Sequence, residues 1–470
     1  MTQTKSDKEV DVVVVGAGGA GLCASIEAAN VGAQVLLLES MSIVGGNTLI
    51  SGSAIIAGGT SIQKAAGVKD SPDKLFRDAV EDGRQHYQFT KKDTKIVKVA
   101  YDNGPDLIDW LIALGIQFLE KPSMHYSGIP RFHYLAPGYR EGSPVLINKL
   151  YTVAVSKGAS ILLETKLTKL FVDSSGSCPG GRIIGVEAND AKGRIINIKA
   201  KRGVVLATGG FARGADMIRR YHPYLSRVRA LGTSGCTGEA TQAALEVGAN
   251  MLTEYVDYGV ETLFVGTQKG YSAGAPLRIA PLVVVNKEGK RFVDETQGYS
   301  PATKKMMGNK YEVAYLIFDE AAKREYESAF RPIIENDVVK VFPSLDDLAV
   351  QLEINASGLF ETINCYNSDV EKGRDRAFGR ASLLKKIVVP PFYAFEAEPA
   401  IYVTYGGLEI NELGQVLTAA GRPIPGLYAA GEVCGSLAPQ VNCRYAYLGG
   451  LAQCMVFGRI AGKNAAMPKP

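Results

Sequence analysis

Asp11-Val12-Val13-Val14-Val15-Gly16-Ala17-Gly18-Gly19-Ala20-Gly21 is the stretch that decides the fold. Its β-branched run has the composition of a strand, and it leads directly into a glycine-rich turn. Leu22-Cys23-Ala24-Ser25-Ile26-Glu27-Ala28-Ala29, which follows, has helical composition. A second apolar run, Gln34-Val35-Leu36-Leu37-Leu38, ends at Glu39 and Ser40. Strand, turn, helix, strand and terminal acid in this order predict a dinucleotide-binding unit. Gly16 makes the tight turn, and Gly18, with Gly19 and Ala20, lets the backbone approach a pyrophosphate at the helix N-terminus. Gly21 permits close packing of helix on strand, and Glu39 is the expected acceptor for a ribose hydroxyl.

Bulk properties narrow the partners. A chain of 470 residues is too long for one ordinary domain, so two are expected. Lys plus Arg at 52 against Asp plus Glu at 48 leaves only +4, and no basic block interleaved with aromatics points to nucleic acid. The seven cysteines are scattered and odd in number, without a C-x-x-C pair, which argues against a disulfide framework or an attached haem. No metal site is assigned. Met1 to Val10 is polar and charged, unlike a signal peptide, and no apolar run approaches bilayer length. A cytoplasmic protein with small-molecule partners and no integral membrane segment is expected.

Further glycine-rich segments extend the nucleotide signal. Gly45-Gly46-Asn47-Thr48 and Ser51-Gly52-Ser53 offer bare amides and small side chains that can run along a flavin. Val204-Val205-Leu206-Ala207-Thr208-Gly209-Gly210 and Gly426-Leu427-Tyr428-Ala429-Ala430-Gly431-Glu432 are two more strands entering glycine turns. With Ser234-Gly235-Cys236-Thr237-Gly238-Glu239, Gly289-Lys290-Arg291-Phe292, Gly373 to Arg380, Pro391-Phe392-Tyr393-Ala394, Gly406-Gly407 and Leu448-Gly449-Gly450-Leu451, the chain resembles the fumarate reductase/3-ketosteroid dehydrogenase family of FAD enzymes over nearly its whole length. The resemblance is closer to the branch acting on ketosteroids and cyclic ketones.

That resemblance implies an α/β protein of the two-dinucleotide-binding-domain flavoprotein type. A Rossmann-like FAD-binding domain would span 1–258 and 386–470, with an inserted α+β capping domain at 259–385 and a substrate cleft between them. Apolar Leu282-Val283-Val284-Val285 reads as a cap strand, 309–330 and 344–372 read as helical, and Val388-Val389-Pro390-Pro391 marks the return. Glu371 to Arg380 reads as a solvated helix end near a hinge. Glu432 would lie near the flavin ribityl chain, and amides around Leu448 to Leu451 near the pyrimidine end. No histidine occurs between Gly45 and Gly59, so the FAD is expected to be non-covalent.

The decisive exchange is Tyr299. Family members that reduce fumarate-like acids carry an arginine there, a second arginine before the Leu-Gly-Gly turn and histidines for substrate carboxylate. This chain has Tyr299, Tyr447 and Val403 at matching positions, and its histidines, His86, His125, His133 and His222, lie elsewhere. The 3-ketosteroid dehydrogenases carry a tyrosine matching Tyr299 that abstracts a proton. Desaturation beside a carbonyl needs a base, an electrophile at the carbonyl oxygen and a hydride acceptor. A free phenol titrates near ~10, so Tyr299 needs a neighbouring donor, for which Tyr126 or Tyr134 is the candidate. Tyr405, Tyr445 and Tyr447, with an amide near Gly449, are candidates to hold the enolate oxygen. Asn442 to Tyr447 departs from the ketosteroid spacing, which leaves a compact alicyclic ketone as open as a steroid. Arg444 is left open between a surface charge, a flavin neighbour and a carboxylate clamp.

The expected activity is FAD-dependent α,β-desaturation of a cyclic ketone, with or without a carboxylate. The electron acceptor is open between oxygen, a quinone and a carrier protein. Two rivals stand beside it: an ene-reductase of an enone or enoate using the same apparatus in reverse, and a flavin redox sensor without turnover.

Overall fold

The computed structural model describes residues 6–87, 91–124, 128–175, 180–253, 260–265, 271–272, 280–297, 299–335, 337–404, 406–435 and 450–468. The chain forms two compact units. One comprises Met1–Ser226, Gly232–Gly259 and Val403–Pro470, the other Arg227–Leu231 and Val260–Tyr402.

In the first unit the valine run forms β1 (Lys8–Val15), with Val12, Val13 and Val14 fully buried. After the glycine turn comes α1 (Gly19–Asn30), then β2 (Val35–Leu38), parallel to β1 with Val12 opposite Val35. β3 (Ser160–Leu162) continues the parallel sheet beyond β2, and the antiparallel pair β4 (Lys166–Asp173) and β5 (Arg182–Asn189) is joined to β6 (Ile195–Leu206). β6 lies parallel to β1 on its other side, and the strands Pro423–Ala429 and Gln415–Leu417 complete the eight-stranded sheet. Strands buried on both faces need no apolar/polar alternation, which is why the valines run unbroken. The helix Gly450–Ala466 covers α1 and is apolar over most of its surface. A methyl group at Gly462 would fall 2.1 Å from the Ala24 carbonyl oxygen, so this helix can approach α1 only without a side chain there.

The second unit is a mixed sheet built from β7 (Arg229–Ala230), β8 (Val260–Val265), β9 (Tyr271–Ser272), β10 (Val283–Val285), β11 (Ala314–Asp319), β12 (Lys340–Phe342) and β13 (Phe392–Val403). Its path runs β9-β8-β13-β11-β10, with β12 and β7 also pairing β13. β11 corrects the sequence expectation of helix through 309–330. Ala-Tyr-Leu-Ile-Phe is buried throughout, with Leu316 and Phe318 in one core and Tyr315 and Ile317 in the other. A five-residue apolar run carries no period that separates a central strand from a buried helix, and pairing to β10 and β13 decides it. Residues 386–402 stay with this unit because β13 is registered against β11 from Phe392 to Ala397, whereas the sequence division at 385 falls ahead of that strand.

The charged stretch Glu371 to Arg380 is also corrected. Most of it is exposed as expected, but Asp375 and its last residue, Arg380, are buried, at 5% and 2% exposure, because each meets opposite charge inside the unit. No helix among the described residues is long and apolar enough to cross a membrane.

Candidate active site and cofactor cradle

Gly16, at φ +101°, turns the chain out of β1, and a methyl group at Gly21 would lie 1.8 Å from the Gly16 carbonyl oxygen. Only glycine fits that packing. α1 begins after Gly18 with no side-chain cap and no acidic residue in its first turn. Gly19 N donates to Thr48 Oγ1 at 3.2 Å, while the amides of Ala20 and Gly21 find no acceptor among the described residues. An uncapped helix end with free amides carries partial positive charge and suits a diphosphate.

Glu39, 7% exposed at the end of β2, accepts from Ala17 N at 2.7 Å through Oε2, and from Met41 N at 2.9 Å and Ser40 Oγ at 3.2 Å through Oε1. These bonds fix the carboxylate against the turn and leave acceptor capacity for a sugar hydroxyl. Gly45 N donates to Ala17 O at 2.8 Å, which sets the short helix Gly46–Leu49 beside the start of α1. The strand β6 delivers Ala207, Thr208 and Gly209 next to the same turn, with Ala207 N donating to Val15 O at 2.7 Å.

Asn47 and Glu432 join segments far apart in sequence. Asn47 Nδ2 donates to Glu432 Oε2 at 3.0 Å, and Asn47 Oδ1 accepts from Thr233 N at 2.9 Å and Thr233 Oγ1 at 3.3 Å. Glu432 Oε1 accepts from Thr404 N at 3.0 Å, and Thr404 Oγ1 accepts from Phe211 N at 3.1 Å. Burial pushes the Glu432 carboxyl up to about 7, against the pull of the Thr404 amide, Asn47 and the Gly210 amide. The residue nonetheless keeps partial solvent exposure.

Ser51 and Ser53 both bond Ser143 Oγ, at 2.8 and 2.9 Å, and the Tyr139 ring lies against Gly52. Leu451 is buried in the first turn of the terminal helix. Burial raises the thiols of Cys236 and Cys454 to about 12, which removes them as nucleophiles. Sequence reading missed Thr404, Thr233 and Ser143. Their sole signal was proximity to glycine motifs, since hydroxyls that meet a partner through tertiary folding leave no local pattern.

These features fit FAD: a glycine cradle that a side chain would fill, an uncapped helix end, an ordered acid at the ribose position and a network where a flavin-linked polyol would run. The catalytic candidates are less visible. Tyr126, Tyr405, Tyr445, Tyr447, Leu448 and Gly449 lie outside the described residues, with Arg444. Tyr299 opens the helix Tyr299–Gly308 in the second unit, with one residue between it and the single turn Glu295–Gln297, and its side chain is outside the description. Tyr134 sits in the strand Phe132–Tyr134, its ring centroid 6.5 Å from that of Tyr139. His133 is buried between Thr60 Oγ1 at 2.8 Å and the Ile55 carbonyl at 3.2 Å, and burial lowers its pKa, as suits a structural neutral imidazole. His222 is buried against the rings of Phe211 and Tyr224.

A family model described as FAD binding domain matches residues 11–442, and the chain belongs to that family. It is an FAD-dependent oxidoreductase. Among curated relatives, a fumarate reductase (cytochrome) of Shewanella frigidimarina is 32% identical over 97% of this chain and 77% of its own length. Among solved structures, the open conformation of a flavocytochrome c3 fumarate reductase superposes with a TM-score of 0.83 at 30% identity, covering 98% of this chain and 78% of that one. A 3-ketosteroid-Δ4-(5α)-dehydrogenase from Rhodococcus jostii RHA1, in complex with 4-androstene-3,17-dione, gives 0.77 at 27% identity over 99% of both chains. The FAD family and fold expected from the sequence are thus established, whereas the ketosteroid branch is not singled out, since a fumarate reductase at 32% identity and a urocanate reductase of Eggerthella lenta at 30% are among the relatives.

Proposed function

We propose that this enzyme desaturates the α,β-bond of a cyclic ketone, either a 3-ketosteroid or a compact cyclohexanone-type ring, with or without a carboxylate. The observation that carries the reading is Tyr299: a phenol, not a guanidinium, opens the helix Tyr299–Gly308. A guanidinium clamps carboxylates and donates protons, whereas a phenolate can accept a proton from the carbon beside a ketone. The dehydrogenase of Rhodococcus jostii, at 27% identity, supports the same direction.

Bound FAD supplies the hydride acceptor for the β-carbon. Tyr299, as phenolate, takes the α-proton, and the electron pair left behind forms the new carbon–carbon double bond as hydride departs, so one proton and one hydride leave together. Tyr126 or Tyr134 donates to the Tyr299 oxygen and lowers its pKa. Tyr405, Tyr445, Tyr447 and the Gly449 amide hold the ketone oxygen as negative charge develops on it. Gly16, Gly18, Gly19, Ala20 and Gly21 take the diphosphate, Glu39 and Ser40 the ribose. Gly46, Asn47, Thr48, Ser51, Gly52, Ala207, Thr208, Gly209, Gly431, Glu432, Leu448 and Leu451 follow the flavin half. FAD would be held non-covalently, with oxygen, a quinone or a carrier as the final electron acceptor.

A second reading has its own support, since the relative from Shewanella frigidimarina is a fumarate reductase at 32% identity. In that reading the chain reduces an enone or enoate. Anaerobic mixing of the oxidised holoenzyme with a saturated 3-ketosteroid and with cyclohexanone separates the two. Bleaching of the flavin by either ketone supports desaturation. Silence with both, together with rapid reoxidation of the reduced enzyme by fumarate, establishes the reductase instead.

A further inference from the structure

We propose that a buried, charge-balanced knot of Arg291, Glu295, Asp375 and Arg380 is the positioning element for Tyr299, an inference that rests on reading Tyr299 as the base. Two cations and two carboxylates meet here with little access to solvent. Glu295, 1% exposed, accepts from Arg291 Nε at 2.9 Å and from the Val284 amide at 3.0 Å through Oε1, and from Arg291 Nη2 at 2.8 Å and Arg380 Nη1 at 3.2 Å through Oε2. Arg291 Nη2 also donates to Asp375 Oδ2 at 2.8 Å. Asp375 Oδ1 accepts from the amides of Ala377 and Phe378 at 3.1 and 3.3 Å. Arg380 spends its remaining donors on the carbonyls of Leu282, Ser382 and Leu383. The Arg291 guanidinium lies between the rings of Tyr366 and Phe378, 4.9 and 5.0 Å from their centroids.

The knot holds the chain where Tyr299 departs. Glu295 opens the single turn Glu295–Gln297, which Asp294 closes by accepting from Thr296 N at 2.9 Å and Thr296 Oγ1 at 2.6 Å. One residue after that turn, Tyr299 begins the next helix, whose Ala302, Thr303 and Met306 are fully buried. The phenol-bearing residue therefore sits between two fixed points, the ion knot on one side and a buried helix face on the other. Apolar packing would hold this segment without directing it, whereas bidentate guanidinium–carboxylate bonds have fixed geometry. Neutralising one member strands a buried charge and releases the turn's orientation, while the rest of the unit keeps its two apolar cores.

The test uses the FAD-loaded full chain with 3-fluorotyrosine placed at position 299, read by fluorine NMR, in the wild type and in Glu295→Gln, Arg380→Lys and Arg376→Gln. Arg376 pairs with Asp369 at the rim of the same stretch, is well exposed, and serves as control. One narrow resonance is expected for the wild type and R376Q, with splitting or broadening in E295Q and R380K at unchanged FAD content. Flavin reduction by cyclohexanone should lose about ten- to hundredfold in kcat in those two variants, with KM nearly unchanged, as small misplacement of a catalytic group demands. An unaltered single line in E295Q and R380K, or equal broadening in R376Q, overturns the inference. Should E295Q fail to fold, R380K, which keeps the charge and loses the fork, still decides it. If Y299F reacts as fast as wild type, the base assignment fails, while the fluorine signal judges the knot independently.

Discussion

Glu432 ties the cofactor cradle to pH. Its carboxyl stands at about 7 in the folded chain against an ordinary 4.5. Between those values the cofactor-free folded state binds more protons than the unfolded state, so its stability falls as pH rises through this window. The full contribution is present below about 4.5 and lost above about 7, with an upper bound on the order of 3 kcal/mol. Urea unfolding of the apoprotein at about pH 5 and about pH 8 should show that fall, and E432Q should flatten it. An E432Q profile as steep as wild type would place the pH response elsewhere. At this scale the sequence was half informative. Asn47 and Glu432 stand in glycine motifs and could be singled out, but Thr404, 28 positions from the Glu432 it bonds, and Thr233, 186 positions from the Asn47 it bonds, announce nothing locally.

Among the elements, the β1–α1 hinge and the contact of α1 with Gly450–Ala466 rest on missing side chains. Gly21→Val places atoms against the Gly16 carbonyl, which a methyl group alone would approach to 1.8 Å. The variant should purify with little FAD, read as the ratio of flavin to protein absorbance; a full flavin complement would contradict the cradle. Gly462→Leu forces the terminal helix off Ala24 and should destabilise the protein by about 1–3 kcal/mol, measured by denaturant unfolding, with cofactor content less affected than in G21V. The strand-turn-helix-strand unit was legible because its signals are contiguous from Asp11 to Glu39. β11 was not, since a short apolar run fits a buried helix as well as a central strand, and the partners that settle it, β10 and β13, lie far along the chain. Arg380 was misread because charge in a sequence suggests solvent until a buried counter-charge such as Glu295 is seen beside it.

For the molecule as a whole, the FAD family could be read from motifs spread between Gly16 and Leu451, while the direction of the reaction hinges on one residue, Tyr299. Non-covalent FAD has a simple check: with no histidine between Gly45 and Gly59, acid precipitation should leave the yellow colour in the supernatant, and colour retained by the pellet would show a covalent link. The central claim, proton abstraction by Tyr299 coupled to hydride loss from a cyclic ketone, is tested most directly by anaerobic stopped-flow. Wild type and Y299F, both fully loaded with FAD, are mixed with a saturated 3-ketosteroid or cyclohexanone, and flavin absorbance is followed. Rapid bleaching of the wild type and a loss of roughly a hundredfold to ten-thousandfold in Y299F is the expected result. Equal rates in the two proteins would contradict it.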